Sequence, residues 1–160
     1  MAEKTAKRPV LAPVDFSLPS EAALLKACEL AECLGLPVVV LHVVHDPGEM
    51  PGYYAKMAKK KNLGRMQDAA REMFNEFMHD VLKRHPGVKS LKRAERMLVI
   101  GLPPTRILQV ADKLDAVMVV MGSKGETGIK HMMLGSVAQR VVQLCPVPVT
   151  VVKADSQTEE

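Results

Sequence analysis

Eight consecutive residues, Pro37 to Val44, read PVVVLHVV. The run is far shorter than the roughly 20 apolar residues that span a bilayer. Its β-branched side chains favour an extended backbone. A strand with one wet face alternates polar and apolar residues, whereas this one is interrupted only by His42, so it must be covered on both sides. That requirement calls for helices above and below a parallel sheet.

The remainder of the chain supplies them in alternation. The apolar run PVLAPV, residues 9–14, predicts a first strand, followed by a helix that Ser17 caps, Pro19 enters and Gly35 stops, with Ala23, Ala27, Leu30, Ala31 and Leu34 as its apolar stripe. After the strand at 37–44, Asp46 to Gly64 reads as a long polar connection, of the kind that is often functional and mobile. Met66, Ala70, Met73, Phe74, Phe77 and Val81 then recur at helical spacing as core residues, up to the stop at His85-Pro86-Gly87. A third strand is expected over Arg96–Ile100, and PPTRILQVADKL supplies a helix with Ile107, Val110, Ala111 and Leu114 inward. Ala116–Met121 reads as a fourth strand, Val137 to Leu144 as a helix ended by Pro146, and Val147–Val152 as a last strand. Strand and helix alternating four times, closed by a fifth strand, predicts an α/β fold: a doubly wound, five-stranded parallel sheet with helices on both faces.

With 160 residues, 48% of them hydrophobic, the chain has room for one core and is expected to be a single domain over residues 1–160, with polar tails at 1–7 and 154–160. The charge of +4 and the run Lys59, Lys60, Lys61 invite a nucleic-acid reading, but there is no Trp and few rings to stack bases, so a solvated basic face is the reading adopted. No membrane span is visible, and the apolar run behind Lys4, Lys7 and Arg8 is cut short by Pro13 and Asp15, which argues against a secretory leader and for a cytoplasmic protein. Cys28 and Cys33, five apart, match no usual metal spacing and read as buried small hydrophobes.

In doubly wound sheets ligands sit outside the carboxyl ends of the strands. Of the segments that leave those ends, 122–136 stands out: Gly122, Gly125 and Gly135-Ser136 form G-x2-G-x9-G-S between a strand and a helix, while Gly128 falls outside that spacing. Bare backbone there, with the first amides of a helix, makes a phosphate cradle. An ordinary glycine-rich crossover with Ser136 as a simple N-cap fits as well, and on the residues alone the two readings stand level. No Gly-Lys dipeptide, G-x-G-x-x-G after the first strand, G-x-S-x-G, H-E-x-x-H or paired CxxC occurs, which disfavours Walker, dinucleotide, serine-hydrolase and zinc readings. Asp15, at the end of the first strand, is either a ribose ligand or a helix-start residue. His42 reads as a hydrogen-bonded core histidine rather than a catalytic one, and Lys130 and His131 as phosphate partners or loop residues.

Together VLAPVDFS, VVVLHVV, GLPPTRIL, VVMGSKGETGIKHMMLGSVAQRVV and CPVPVTVV resemble the universal stress protein family over nearly the whole chain. The glycine motif resembles that of its ATP-binding branch. The resemblance implies a Rossmann-like, adenine nucleotide alpha hydrolase-like fold. It implies that Pro13, Val14 and Asp15 wall the adenosine, with Asp15 near the ribose, and that Val43 offers backbone groups to adenine. Met121, Gly122, Lys124 and Gly125 would line the base, ribose and first phosphates, and Gly135, Ser136, Val137 and Ala138 the terminal phosphates, with a divalent Mg2+ or Mn2+ held mainly by the phosphates. Three positions depart from the pattern: Val14 stands where a hydroxyl is common, Leu102 where an acidic residue is frequent, and Ala138 lacks a hydroxyl that some members offer to phosphate.

The expectation is therefore an ATP-binding stress-response or signalling module with little or no turnover and an unknown signalling partner. A weak ATPase or autophosphorylating protein, with Ser136 or a nearby hydroxyl as acceptor, is the alternative, although no convincing base is visible. A non-nucleotide interaction protein using its basic loop is the second. The resemblance also implies a homodimer through the last strand. Independently, Val147–Val152 would be an uncovered apolar edge unless a partner pairs with it, with Pro148 facing away from the ladder.

Overall fold

A computed structural model describes residues 7–45, 60–124 and 133–153. The element order is β1 (Val10–Pro13), α1 (Leu18–Leu34), β2 (Val38–His45), α2 (Lys60–Arg84), α3 (Lys89–Arg93), β3 (Glu95–Gly101), α4 (Pro103–Lys113), β4 (Met118–Gly122), α5 (Ser136–Leu144) and β5 (Val149–Val152). The five strands form one parallel sheet in the order β3-β2-β1-β4-β5. The chain winds outward one way from β1 to β3 and the other way from β4 to β5, so the winding reverses beside β1.

The two-residue period of the strands sorts the core into two layers. Val10, Ala12, Val38, Val40 and Val120 face Leu24, Ala27 and Cys28 of α1 and Phe74, Phe77, Met78 and Val81 of α2. Leu11, Val39, Leu41, Val119 and Met121 face Ile107, Val110 and Ala111 of α4 and Ala138 and Val141 of α5. The expectation of a strand covered on both faces is met in Val38–Leu41, four successive residues at most 4% exposed.

Helix ends follow local chemistry. Ser17 is the N-cap of α1, accepting from the Ser20 amide, with Pro19 in the first turn; Gly35 takes the left-handed conformation at φ 65 and ends the helix. The expected stripe needs correction at its end, because Leu34 is exposed while Leu24 and Cys28 carry the packing. In α2 Met66 and Met73 face solvent, and Met78 fills the core instead. That helix also begins at Lys60, so 60–64 belong to it rather than to the polar connection, whose residues 46–59 lie outside the described residues. A lone exposed Gly64 costs about 1 kcal/mol and does not stop a helix of this length.

The five-residue α3 has no periodic signal of its own. Leu91 is its only buried residue, and the Glu32 carboxylate accepts from the Ser90 amide and hydroxyl, both at 2.9 Å. These bonds hold Glu32 below the usual carboxylate range. Cys28 is fully buried, and burial pushes its thiol up; Cys33, in contrast to expectation, is exposed. Pro148 precedes β5 and serves the sheet through its carbonyl, which accepts from Val119 N at 2.9 Å. Among the described residues no helix is long and apolar enough to cross a membrane.

Candidate functional site

Unequal strand lengths create a notch. β1 pairs with β2 only over Val38–Leu41, whereas the opposite edge of β2 stays paired to β3 as far as His45. Past Leu41, the β2 edge facing β1 has no strand neighbour among the described residues. On the other side β4 pairs with β1 at Met118 and Val119 and runs on to Gly122. The crevice lies above the short central strand, between β2 and β4, at the point where the winding reverses.

Its floor is the corner after β1. The Val14 amide donates to Leu41 O at 2.8 Å, which carries the pairing one step beyond the strand, and then the chain turns. Asp15 Oδ1 accepts from the Ser17 amide at 3.1 Å and from the Ser17 hydroxyl, while the Asp15 amide donates to Ser20 Oγ at 3.3 Å. Ser17 thus caps α1 and orients the carboxylate of Asp15 at once. His42, the first β2 residue past the pairing, has Nδ1 2.8 Å from Val14 O. The hydrogen bond of the sequence-based reading is present, but His42 is half-buried beside the crevice rather than in the core. Burial holds its pKa below 6.5, against the opposing pulls of the Val14 carbonyl and Asp15.

The two ends of the glycine motif meet. Gly135 N donates to Ser123 O at 2.8 Å, and Ser123 N donates to Val152 O at 3.0 Å, so the crossover is cinched at its base against β5. The first helical bond of α5 is Gln139 N to Gly135 O. The amides of Ser136, Val137 and Ala138 therefore have no acceptor among the described residues and open at the carboxyl end of the sheet, with the positive end of the helix dipole. Ser136 is not the N-cap: that position is Gly135, at φ −59 and ψ 155, and no side chain among the described residues caps the helix.

The glycines have separate reasons. A Cβ on Gly122 would lie 3.2 Å from the carbonyl carbon and oxygen of Pro19, so the strand end abuts the first turn of α1. Gly135 has a backbone conformation open to any residue. Gly125, Gly128, Lys130 and His131 lie outside the described residues. Pro13, Val14, Met121 and Ala138 are buried residues. Asp15, Val43, Gly122, Lys124, Gly135 and Val137 are half-buried and Ser136 is exposed.

Sequence reasoning missed Phe16. It adopts φ 68, which a bulky side chain seldom does, and its ring stacks on His42 with centroids 4.1 Å apart. The available signal was an aromatic inside Asp-Phe-Ser, where a turn residue would be at home. No group of three or more metal-ligating side chains occurs among the described residues. A cavity of about 660 Å³ opens at the other pole of the sheet, lined by Lys7, Leu36, Pro37, Lys89 and Arg93. It shares no residue with the crevice and lies at the amino ends of the strands, away from where this topology places ligands.

Residues 7–153 match the model of the universal stress protein family. The chain belongs to this family. Among universal stress proteins it is 34% identical to one from Mycolicibacterium smegmatis over 152 residues, which is 95% of this chain but 48% of that relative. The chain thus spans about half the length of that protein. Against MJ0577 of Methanocaldococcus jannaschii it is 26% identical, covering 90% of this chain and 93% of the relative, and the solved MJ0577 structure superposes with a TM-score of 0.73 over 95% of this chain and 99% of that one. A universal stress protein of Archaeoglobus fulgidus solved in complex with dAMP is 27% identical, with a TM-score of 0.63 over 93% of this chain and all of that one.

Proposed function

We propose that the crevice above β1 binds an adenine nucleotide, with ATP as the expected form, and that the protein is a nucleotide-dependent stress-response or signalling module with little or no turnover. The observation that carries this reading is the joined base of the glycine motif. The Gly135–Ser123 bond sets three helix amides that have no acceptor among the described residues beside the end of β4, one strand from the Asp15 corner. Such an array suits phosphate, because amides and a helix dipole supply positive charge without a lysine. The dAMP bound by the A. fulgidus relative supports adenine as the base.

In this reading Pro13, Val14 and Asp15 wall the adenosine and the unpaired β2 edge at Val43 meets adenine through its backbone. Met121, Gly122, Lys124 and Gly125 line base, ribose and first phosphates, and Gly135, Ser136, Val137 and Ala138 the terminal ones. A Mg2+ or Mn2+ ion would ride on the phosphates, since the described crevice offers Asp15 alone as a carboxylate. Among the described crevice residues the two groups that could act as a base are both engaged, the His42 ring with Val14 and Phe16 and the Asp15 carboxylate with Ser17. We further propose a homodimer through β5: Val149–Val152 is half-exposed along the sheet edge, with Val142 and Leu144 of α5 exposed. Cytoplasmic residence and a downstream partner that reads the bound state complete the proposal.

The test is release and rebinding. Denaturing freshly purified protein and chromatographing the supernatant is expected to yield an adenine nucleotide, and titration with ATP and magnesium to give saturable heat. Neither signal appearing would refute the proposal. Labelled ATP giving protein-bound label or phosphate above a Gly135→Trp control would replace the low-turnover reading with an enzymatic one. Sedimentation of wild type against Val151→Lys tests the dimer, which should dissociate in the variant.

A further inference from the structure

We propose that His42 and Phe16 are positioning residues for the ribose end of the crevice: together they hold the Val14–Asp15 corner so that the Asp15 carboxylate is fixed where a ribose hydroxyl can reach it. The inference rests on the nucleotide reading above. Neither side chain need touch the ligand.

Three observations converge. Val14 O is an acceptor only, so the His42 nitrogen 2.8 Å away, Nδ1, carries the proton, and the bond ties the carbonyl just before Asp15 to β2. The residue just after Asp15 is Phe16, whose ring lies on that same imidazole at 4.1 Å and 25°. Asp15 is therefore bracketed on both sides by one histidine. Finally, Phe16 is held at φ 68, a costly conformation that persists only where its surroundings over-determine it. The surroundings here are His42 on one side, Phe74 at 5.8 Å and Phe77 at 5.5 Å. A simple N-terminal cap, which Ser17 already provides, needs none of this. Strain of this kind clusters at ligand clamps and active sites, which is where this corner opens. Burial disfavours the charged ring, and the bond to the Val14 carbonyl selects the neutral tautomer with its proton on Nδ1.

The experiment compares AMP with dAMP, which lacks the 2′-hydroxyl, by calorimetric titration of the full chain. If Asp15 accepts from the ribose, wild type should prefer AMP by at least about tenfold, the low end of the worth of one hydrogen bond to a charged group. His42→Leu keeps the volume but loses the donor. It should weaken AMP by about tenfold and dAMP by less than threefold, collapsing the preference. His42→Asn, whose amide nitrogen reaches the Nδ1 position, should recover most of it. Where His42→Leu fails to fold, Phe16→Gly serves: glycine keeps the left-handed backbone without the ring, and the preference should fall in the same way. A role confined to stability would lower both nucleotides alike or neither; an unchanged AMP-to-dAMP ratio in His42→Leu or Phe16→Gly would overturn the proposal. Wild type that binds both nucleotides equally also overturns it while leaving the nucleotide reading intact. Wild type that binds neither AMP nor dAMP overturns this inference, while the nucleotide reading stands or falls separately on the ATP titration.

Discussion

Gly122→Ala separates what a motif glycine does for the fold from what it does for a ligand. An alanine Cβ at this position would lie 3.2 Å from both the carbonyl carbon and the oxygen of Pro19, and 3.4 Å from Lys124 O. Carbon contacts are optimal at about 3.5–4.0 Å, so the shortfall is a few tenths of an ångström against backbone rather than against a side chain that could swing away. Pro19 in turn belongs to a first turn pinned by the Ser17 cap. Forced overpacking of this kind costs about 1–3 kcal/mol. For a chain of this size that corresponds to a melting temperature lower by about 3–10 °C. Urea titration should show a lower midpoint with an unchanged slope, and the companion Gly135→Ala, at φ −59 and ψ 155, should lose less than about 1 kcal/mol. Gly135→Ala should instead weaken ATP, since a methyl group there crowds the approach to the α5 amides. Gly122→Ala as stable as wild type, or Gly135→Ala as the more destabilised of the two, would refute this division of labour.

Other perturbations test neighbouring parts. Ser17→Ala removes the α1 cap and the hydroxyl on Asp15, and should cost about 1 kcal/mol in denaturant titration together with weaker nucleotide binding; full stability and full affinity would contradict the double role. His42 is held below 6.5 chiefly by burial, so the folded protein keeps it neutral while the unfolded chain protonates it. Its contribution to stability is complete above about 6.5 and is lost as pH falls through the lower folded value, so the wild-type urea midpoint should drop on acidification more than that of His42→Asn. Exposed Cys33 should react with a thiol reagent in the native state, and Cys28, buried with its thiol pushed up, only on unfolding; mass spectrometry of the labelled peptides reads both.

Much of the fold was legible because burial writes itself into composition. Val38–Leu41 could not be wetted on either face, and together with the alternation of strands and helices that demanded two helical layers and a parallel sheet. Caps were equally readable, since Ser17 and Gly35 act through local geometry. Misreadings fell where a neighbour decides: Leu34 and Met73 sit at helical spacing yet face water, while Leu24 and Met78 take the core. The α3 turn owes its place to Leu91 and to a carboxylate from α1, neither of them a local signal.

The candidate site divides along the same line. Sequence alone determined that a glycine-spaced segment follows the fourth strand, that Asp15 ends the first, and that this chain has the motifs of the universal stress protein family. Those are properties of residue type and spacing. Only the tertiary structure decided that β1 stops short of β2 and β4 to leave a notch, that Gly122 is bare because Pro19 crowds it, and that Gly135 closes on Ser123. It alone shows one histidine bracketing Asp15 through Val14 and Phe16. Each of these is a meeting of segments distant along the chain, and the contact distances that fix them exist only once the two layers have packed.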